Sequence, residues 1–283
     1  DLGKKPENLT DADKWILSKV NTLAKDVTEN LDKFELGIAA DKIYEFIWEE
    51  FCDWYIEMVK PRLYNDDDDT KKAALWTLKK VLIDALKLLH PFITEEIFCN
   101  LQDEEETIML SKWPEFTEEY DFAKEEKAVE TIKEAVRNIR NIRSEMNVAP
   151  SKKAKVFVVS SEEEIKNIFE NGKVFFATLG YASEVIIQDD KSGIGDDAVS
   201  VVIPKATIYM PFAELVDISK EIERLNKEVE KLNKELARVN GMLSNPNFVS
   251  KAPEKKINEE KAKQAKYQQM MDQVKEQLAR LQK

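Results

Sequence analysis

The sequence is poor in the residues that build tight turns, disulfides and metal sites. Its 283 residues include seven glycines, nine prolines, two cysteines and one histidine. So little glycine and proline argues against a turn-rich β fold and favours long helices. Cys52 and Cys99 form no Cys-x-x-Cys pair, and with His90 as the sole histidine they exclude a Cys/His zinc site. We expect both thiols to be buried and reduced, as in a cytoplasmic protein.

Long apolar runs are also absent. No run approaches the roughly 18 residues that are needed to span a bilayer, and the first six residues carry no signal-peptide core. The sequence therefore predicts a soluble, cytoplasmic protein with no membrane partner. Because the chain begins without methionine and opens onto a helix start, we expect it to be a fragment of a longer protein.

The sequence also lacks a recognisable catalytic constellation. One histidine in a proline-flanked turn does not make a Ser/His/Asp set, and no metal-ligand spacing occurs. The glycine-containing loop at residues 191–195 has no phosphate-binding fingerprint. We therefore expect no catalytic residue, no metal site and no cofactor within this chain.

The charge is unevenly distributed. The formal net charge is −12, which taken alone disfavours a nucleic-acid partner. Residues 219–283 nevertheless hold fifteen Lys and Arg against ten Asp and Glu, so residues 1–218 carry 28 against 45. Residues 137–155 hold six basic residues and a single acid, Glu145. Two basic islands thus stand in an acidic chain.

Helical spacing of apolar residues predicts five helices in residues 1–150. The first starts at the N-cap residue Thr10, and the second runs from about residue 35 to residue 59, where Pro61 ends it. The third follows the acidic turn at 65–69, Thr94 caps a short fourth, and the last runs from about 122 to 146. Short connections favour an antiparallel bundle. Its core is expected to include four tryptophans: Trp15, Trp48, Trp54 and Trp76.

Two further modules follow the predicted bundle. Residues 151–213 contain four short β-branched runs, at 155–159, 184–188, 199–203 and 207–210, with a helix near 162–171. This predicts a small α/β module that acts as a spacer. Residues 214–283 show apolar residues at alternating steps of three and four, which predicts a long antiparallel two-helix coiled coil. Its second helix has a seam that is polar near the beginning and apolar towards the end. The fold class is therefore mainly α.

The basic island at 137–153, with sequence RNIRNIRSEMNVAPSKK, is the most informative segment. Arg137, Arg140 and Arg143 are three residues apart, so their guanidinium groups should lie along one helix face. One guanidinium group can donate two hydrogen bonds to the oxygens of a phosphate, and it can stack on an exposed base. Both properties suit the recognition of a single-stranded RNA loop. The alternative is that these arginines form ion pairs with the many acids of the bundle.

Several segments resemble the anticodon-binding domain of class I valyl-tRNA synthetases. They are DKWILS at 13–18, FIWEEFCDWYIE at 46–57, LHPFITEEI at 89–97 and RNIRSEMNVAPSKK at 140–153. The two-helix tail, with NFVSKAPE at 247–254, resembles the C-terminal coiled-coil arm of that family. The resemblance covers essentially the whole chain. The bundle motifs also fit isoleucyl and leucyl relatives in part, and the hairpin is what selects the valyl family.

The resemblance implies that the bundle approaches the anticodon stem-loop and that the arm contacts the outer corner of tRNA(Val). In the longer enzyme a catalytic domain of the same chain would use ATP and Mg²⁺ to attach valine, and a monomer is expected. The candidate tRNA-binding residues on the anticodon side are Arg137, Arg140, Arg143, Asn147, Lys152 and Lys153. Those at the tip of the hairpin are Arg238, Lys251, Lys255, Lys256 and Lys261.

Two other hypotheses stay open at the level of sequence. The chain could be a protein-interaction module in which heptads pair between chains and basic islands bind an acidic partner. It could also be a stand-alone enzyme, which the lack of any catalytic constellation disfavours.

Overall fold

A computed structural model describes residues 3–89, 93–102, 105, 107–216 and 218–281, without the side chains of 218–221, 247, 249, 251, 280 and 281. The chain divides into two compact units, Asp1–Pro211 and Phe212–Lys283. The predicted bundle and α/β module both lie within the first unit, and the predicted boundary at residue 150 stays a prediction.

The first unit is mainly helical in its first 145 residues. Its α-helices are α1 (Asp11–Asp32), α2 (Leu36–Glu45), α3 (Glu57–Tyr64), α4 (Lys71–Leu88), α5 (Ile93–Leu101) and α6 (Ala123–Glu145). A π-helical segment, Phe46–Ile56, joins α2 to α3, and two 3₁₀ turns, Ile108–Leu110 and Glu118–Tyr120, precede α6. The five predicted helices are thus present, although α5 begins one residue before its predicted cap, Thr94. The predicted turn at His90 lies outside the described residues.

The start of α1 is fixed by hydrogen bonds to one buried carboxylate. Thr10 and Asp13 form a capping box, in which both the backbone N–H and the hydroxyl of Thr10 donate to Asp13 Oδ2 at 2.9 Å. Asp13 is fully buried and also accepts from Tyr55 Oη at 2.7 Å and from both Nη atoms of Arg62 at 2.9 Å. One buried carboxylate therefore ties the start of α1 to the π-helical segment and to α3.

The prediction that Pro61 ends the second helix is wrong, because α3 continues through it to Tyr64. Proline removes only one backbone hydrogen bond of the last turn. The loss is offset by the buried side chains of Met58 and Val59 and by the hydrogen bonds from Arg62 to Asp13. Tertiary contacts outweigh the local preference here.

The core of the bundle surrounds α1, which packs against α2, α4 and α6. Trp15 and Trp54 are buried as predicted, and Trp76 is partly buried. Trp48 was expected in the core as well, but it is 55% exposed and packs its ring 6.2 Å from that of Tyr44. The π-helical segment changes the angular spacing along this stretch, so a 3.6-residue period assigns its faces incorrectly.

The α/β module consists of β1 (Ala154–Val159), α7 (Glu163–Asn171), α8 (Lys173–Leu179), β2 (Ala182–Gln188), β3 (Val199–Ile203) and β4 (Ala206–Met210). Its four strands have the order β2-β1-β4-β3, in which β1 and β2 are parallel and the other pairs are antiparallel. All four strands and α7 were predicted, whereas α8 was not.

The module packs directly on the bundle, and its role as a spacer before the hairpin stays a prediction. A methyl group added at Gly172, between α7 and α8, would lie 2.4 Å from Cδ1 of Ile132 in α6. The guanidinium of Arg140 in α6 also donates to the carbonyl of Leu179 at 2.7 Å. The module therefore supports the C-terminal half of α6.

The second unit contains α9 (Phe212–Leu215), α10 (Ile218–Leu243), α11 (Pro246–Lys251) and α12 (Glu254–Leu281). The two long helices α10 and α12 bury a shared apolar seam, as the residue spacing predicts. Its buried members are Leu225, Leu232, Leu236, Met271 and Val274. Towards the turn of the hairpin the seam becomes polar, where Asn240 accepts from Gln264 at 2.5 Å and Glu260 is buried. The short helix α11 was not predicted.

Both cysteines are free. Cys52 is partly buried, but Cys99 is exposed, so the prediction of a buried thiol is wrong there. Cys99 lies on the solvent side of the short helix α5, whose buried face is formed by Thr94 and Phe98. Among the helices described, none is both long and apolar enough to cross a membrane.

Candidate nucleic-acid interface

The predicted arginine row lies at the C-terminal end of α6. The buried face of this helix is formed by Val129, Ile132, Val136 and Ile139, which recur at steps of three and four. Arg143 continues that series and is itself buried, whereas Arg137 is exposed and Arg140 is half-buried. The three guanidinium groups therefore differ in their exposure although they follow one another along the helix.

Two aromatic rings lie against the three arginine side chains. The guanidinium carbons of Arg137 and Arg140 lie 5.2 Å and 5.7 Å from the ring centre of Trp54. Those of Arg140 and Arg143 lie 6.0 Å and 5.2 Å from the ring centre of Tyr181. Arginine stacks favourably on aromatic faces, so each ring restrains two neighbouring side chains. These shared rings confirm that the groups lie near one another, but the prediction that all three lie along one helix face is wrong for Arg143, which lies on the buried face with Ile139.

Arg143 does not face solvent. Its side chain is 3% exposed, and its Nη2 atom donates to the carbonyl of Ala149 at 3.1 Å and to that of Lys152. Burial lowers the pKa of this guanidinium, and the nearby Tyr181 opposes that shift. This burial and the bonding of Nη2 to the backbone of its own chain disfavour direct phosphate binding by Arg143, which stays a prediction.

The backbone conformation after α6 explains why an asparagine stands at position 147. It follows α6 in the left-handed conformation with φ 54°, while the N–H of Val148 donates to the carbonyl of Arg143 at 2.8 Å. Asparagine tolerates this conformation at a helix C-terminus better than most residues do. The Asn147 side chain is exposed, so its role in tRNA binding stays a prediction.

The loop that follows carries the lysine pair. Lys152 is half-buried and Lys153 is exposed, and the buried residue Ala154 then begins β1. With Arg137 and Arg140 they are the cations of this island that solvent reaches. Their contact with RNA stays a prediction.

Lys155, at the end of the basic segment, pairs with Glu184 at 3.3 Å, but the cations from Arg137 to Lys153 are different. Within the described part of the chain, no ion pair joins Arg137, Arg140, Arg143, Lys152 or Lys153 to an acidic side chain. The acids of α6 pair instead with other lysines: Glu125 with Lys14 at 3.0 Å and Glu130 with Lys19 at 3.3 Å. The alternative that the arginines serve the acids of the bundle is thus wrong.

One buried cation was missed by the sequence interpretation. Lys133 is fully buried, pairs with Glu50 and Glu130, and lies 4.5 Å from the ring centre of Trp15. The only signal for it was its place beside Ile132 on the apolar face of α6. It belongs to the core and has no free surface to offer a ligand.

The predicted residues of the hairpin differ in their surroundings. Arg238 is exposed but pairs with Glu235 at 2.7 Å. Lys255, Lys256 and Lys261 are exposed and form no ion pair among the described side chains of the unit. The side chain of Lys251 lies outside the described residues. Among the predicted hairpin residues, the three lysines near the start of α12 are therefore the ones that are exposed and without an ion pair in the described part of the unit.

Two family models match the chain. The "anticodon-binding domain of tRNA ligase" matches residues 13–158, and the "valyl tRNA synthetase tRNA binding arm" matches residues 217–282. The first covers more than half of the chain and includes the arginine row, and the second covers the hairpin.

Curated relatives agree with these matches. The chain is 51% identical over 273 residues to a valine–tRNA ligase of Clostridium tetani, covering 95% of this chain and 31% of the relative. It is 50% identical over 274 residues to that of Clostridium perfringens, and 41% identical over 284 residues to that of Staphylococcus carnosus. These matches cover 96% and 99% of this chain, and 31% and 32% of the two relatives. The chain thus spans about a third of the length of the relatives it matches. It belongs to the valyl-tRNA synthetase family, with an anticodon-binding domain in residues 13–158 and a tRNA-binding arm in residues 217–282.

Proposed function

We propose that this chain is the part of a valine–tRNA ligase that holds tRNA(Val). The longer protein would activate valine with ATP and esterify it to the tRNA. Family membership supports this proposal, and so do exposed cations without carboxylate partners on both compact units. We assign no ATP-binding or Mg²⁺-binding residue to this chain, since the catalytic domain of the longer protein would supply them.

The two units would bind different parts of the tRNA. The end of α6 and the loop at 146–153 would approach the anticodon stem-loop. The hairpin of α10 and α12, which we take to be an antiparallel coiled coil, would reach the outer corner. A rise of about 1.5 Å per residue gives each long helix a length of roughly 40 Å, sufficient to extend along a tRNA. We further infer a monomer that works in the cytoplasm.

The observation that carries this proposal concerns the basic residues from Arg137 to Lys153, here called the α6 island. They form no ion pair with an acidic side chain among the described residues. In a chain with net charge −12, many cations of the bundle, such as Lys14 and Lys19, form ion pairs with acids. Arg137, Lys152 and Lys153 are accessible and face no paired carboxylate among the described residues. Cations left in this state attract phosphates, because binding then requires no ion pair to break.

The salt dependence of tRNA binding tests the proposal. Each phosphate contact on a single-stranded loop adds about −0.7 to the slope of log K against log salt, so six contacts give a slope near −4. Affinity for a tRNA(Val) transcript should then fall by roughly two to three orders of magnitude between 50 and 200 mM salt. In filter binding, the double variant Lys152→Ala, Lys153→Ala should flatten the slope by about 1.4.

A matched pair of lysines provides the control. Lys33 and Lys72 are exposed and form no ion pair among the described side chains, and neither belongs to the α6 island. The variant Lys33→Ala, Lys72→Ala removes the same charge and should leave the slope unchanged. Equal slopes for all three proteins would contradict the proposal for this surface.

Pairing of the hairpin between chains is the second candidate, and the packing disfavours it. The seam residues of α10 and α12 already bury one another within one chain, including Leu225, Leu232 and Met271. Sedimentation at high protein concentration distinguishes the two, because a concentration-dependent dimer would favour the interaction module.

A further inference from the structure

We infer that Arg143 is a positioning residue that fixes the loop presenting Lys152 and Lys153 to RNA. This inference rests on the proposed function and concerns the same surface. Arg143 would act without touching the ligand, because its side chain is 3% exposed and directed into the protein. Its partners are the carbonyl groups of Ala149 and Lys152.

Both the backbone and the side chain of Arg143 are bonded to this loop. The carbonyl of Arg143 accepts from the N–H of Val148 at 2.8 Å, and its guanidinium binds the carbonyls six and nine residues farther on, at 149 and 152. Within the loop, the N–H of Lys152 donates to the carbonyl of Ala149 at 3.0 Å. Arg143 therefore closes the segment from the end of α6 to the first lysine.

The lysine pair lies between two fixed points. On one side the carbonyl of Lys152 is held by Arg143, and on the other side the buried residue Ala154 starts β1, which pairs with both β2 and β4. A chain held at both ends has few backbone conformations to lose when a ligand binds. The two ammonium groups are thus presented in a restricted region before the RNA arrives.

The α/β module covers the arginine from the other side. The ring centre of Tyr181 lies 5.2 Å from the guanidinium carbon of Arg143. Tyr181 adopts the left-handed conformation with φ 54°, which is unfavourable for an aromatic residue and is retained where surrounding contacts require it. The ring thereby limits the movement of the guanidinium.

Replacing Arg143 with lysine distinguishes a role in positioning the loop from a direct contact with phosphate. The variant Arg143→Lys keeps the positive charge but replaces a planar fork by a single ammonium, which cannot hold two carbonyls in the same geometry. A direct phosphate contact would survive this exchange, because an ammonium also displaces a counterion. A positioned loop would not survive it.

The expected result is a loss of salt dependence at constant net charge. Arg143→Lys should flatten the slope by about 1.4 and weaken tRNA(Val) binding at 0.1 M salt by roughly 20-fold, as if both lysine contacts were lost. Placed in the Lys152→Ala, Lys153→Ala background, it should cause no further change. A wild-type slope in Arg143→Lys, or an effect that adds to that of the lysine variant, would overturn the inference.

The lysine variant also separates this inference from the proposed function. If Lys152→Ala, Lys153→Ala leaves the slope unchanged, both are overturned. If that variant flattens the slope and Arg143→Lys does not, the positioning role alone is overturned.

A second variant avoids the core in case Arg143→Lys does not fold. Tyr181→Gly removes the ring and also relieves the left-handed strain, because glycine adopts positive φ readily. It should flatten the slope in the same direction. The control is Phe34→Gly, at another left-handed residue that is 89% exposed and far along the chain from the loop. Unchanged salt slopes in both glycine variants would contradict the inference.

Discussion

At the scale of single residues, the buried carboxylate of Asp13 shows how one group can join three segments. It accepts hydrogen bonds from its own helix cap, from Tyr55 and from Arg62. Burial raises the pKa of Tyr55 well above its ordinary value, and the negative charge of Asp13 raises it further. The phenol therefore keeps its proton in the folded protein at pH values where the unfolded chain would release it.

The sign of the resulting pH dependence follows from this difference. Above pH 10, the ordinary tyrosine value, the unfolded state binds fewer protons than the folded state, so stability falls as pH rises. The contribution of Tyr55 is fully present below that pH. It should decline by at most about 1.4 kcal/mol per pH unit until the raised folded pKa is reached.

We expect Tyr55→Phe to be less stable than wild type by about 2 kcal/mol at pH 8, because it lacks a hydrogen bond to a buried carboxylate. The difference between the two proteins should shrink above pH 10. Urea unfolding from pH 8 to pH 11 measures both effects. Tyr64→Phe, at a residue that is 83% exposed, is the control. A difference that stays constant with pH would contradict this account.

Single residues also show what the sequence could and could not reveal. The burial of Arg143 was readable, because this residue continues the apolar series of Val136 and Ile139 at the next step of four. Its charge led to the opposite interpretation. The pairing of Asp13 with Arg62 was not readable, since the partners are 49 residues apart and no local pattern joins them.

At the scale of elements, the contact of Gly172 with α6 joins the α/β module to the bundle. A side-chain methyl group here would lie 2.4 Å from Cδ1 and 3.0 Å from Cγ1 of Ile132, which is itself buried. Close packing leaves little room for these atoms to move. The glycine is therefore needed for the approach of two elements and not for its backbone conformation, since its φ of −89° is open to other residues.

We expect Gly172→Ala to lower the free energy of unfolding by about 1–3 kcal/mol, because Ile132 must leave its place in the core. Gly37→Ala is the matched control, since Gly37 lies in α2 with no atom within 4 Å of the added methyl group. That change should instead stabilise by about 0.5–1 kcal/mol through helix propensity. Chemical denaturation of both variants checks the pair, and similar effects of the same sign would refute the packing argument.

Elements with a long, regular period were predictable and short ones were not. Periodicity located the start of α1, both ends of α6 and the four strands to within about two residues. It missed α8 and α11, which are seven and six residues long and too short to show a period. The π-helical segment at Phe46–Ile56 was also missed, because its rotation per residue differs from that of the α-helix assumed.

At the scale of the whole molecule, each compact unit carries a predicted group of cations that form no ion pair among the described side chains. The first has Arg137, Lys152 and Lys153, and the second has three lysines at the start of α12. The net charge of −12 obscured this arrangement, because acids such as Glu125 and Glu130 are already paired with lysines of the bundle. The distribution of charge could be predicted from the sequence. Which charged side chains form ion pairs could be seen only in the folded structure.

We expect the two groups to contribute independently to binding. Lys255→Ala, Lys256→Ala, Lys261→Ala should flatten the salt slope by about 2 to 3, at about 0.7 to 0.9 per phosphate contact. Combined with Lys152→Ala, Lys153→Ala, the changes should add. Filter binding with the full chain measures them.

The control for the arm is another pair of lysines on the same hairpin. Lys231 and Lys234 in α10 are exposed and without ion pairs among the described side chains. Their replacement by alanine should change the slope less than the triple variant does. An equal change per lysine removed would show that the arm attracts tRNA along its length and not through the start of α12.

The gradient along the seam of α10 and α12 has a mechanical consequence. Apolar side chains such as Leu225 and Val274 hold the end nearest the first unit in sequence, whereas Asn240, Gln264 and Glu260 occupy the seam towards the turn. Polar contacts exchange with water at little net cost, so separating the helices at the turn requires far less work than separating them at the base. Heating or denaturant should therefore open the pair of helices first where Asn240 meets Gln264, and last where Leu225 and Val274 are packed.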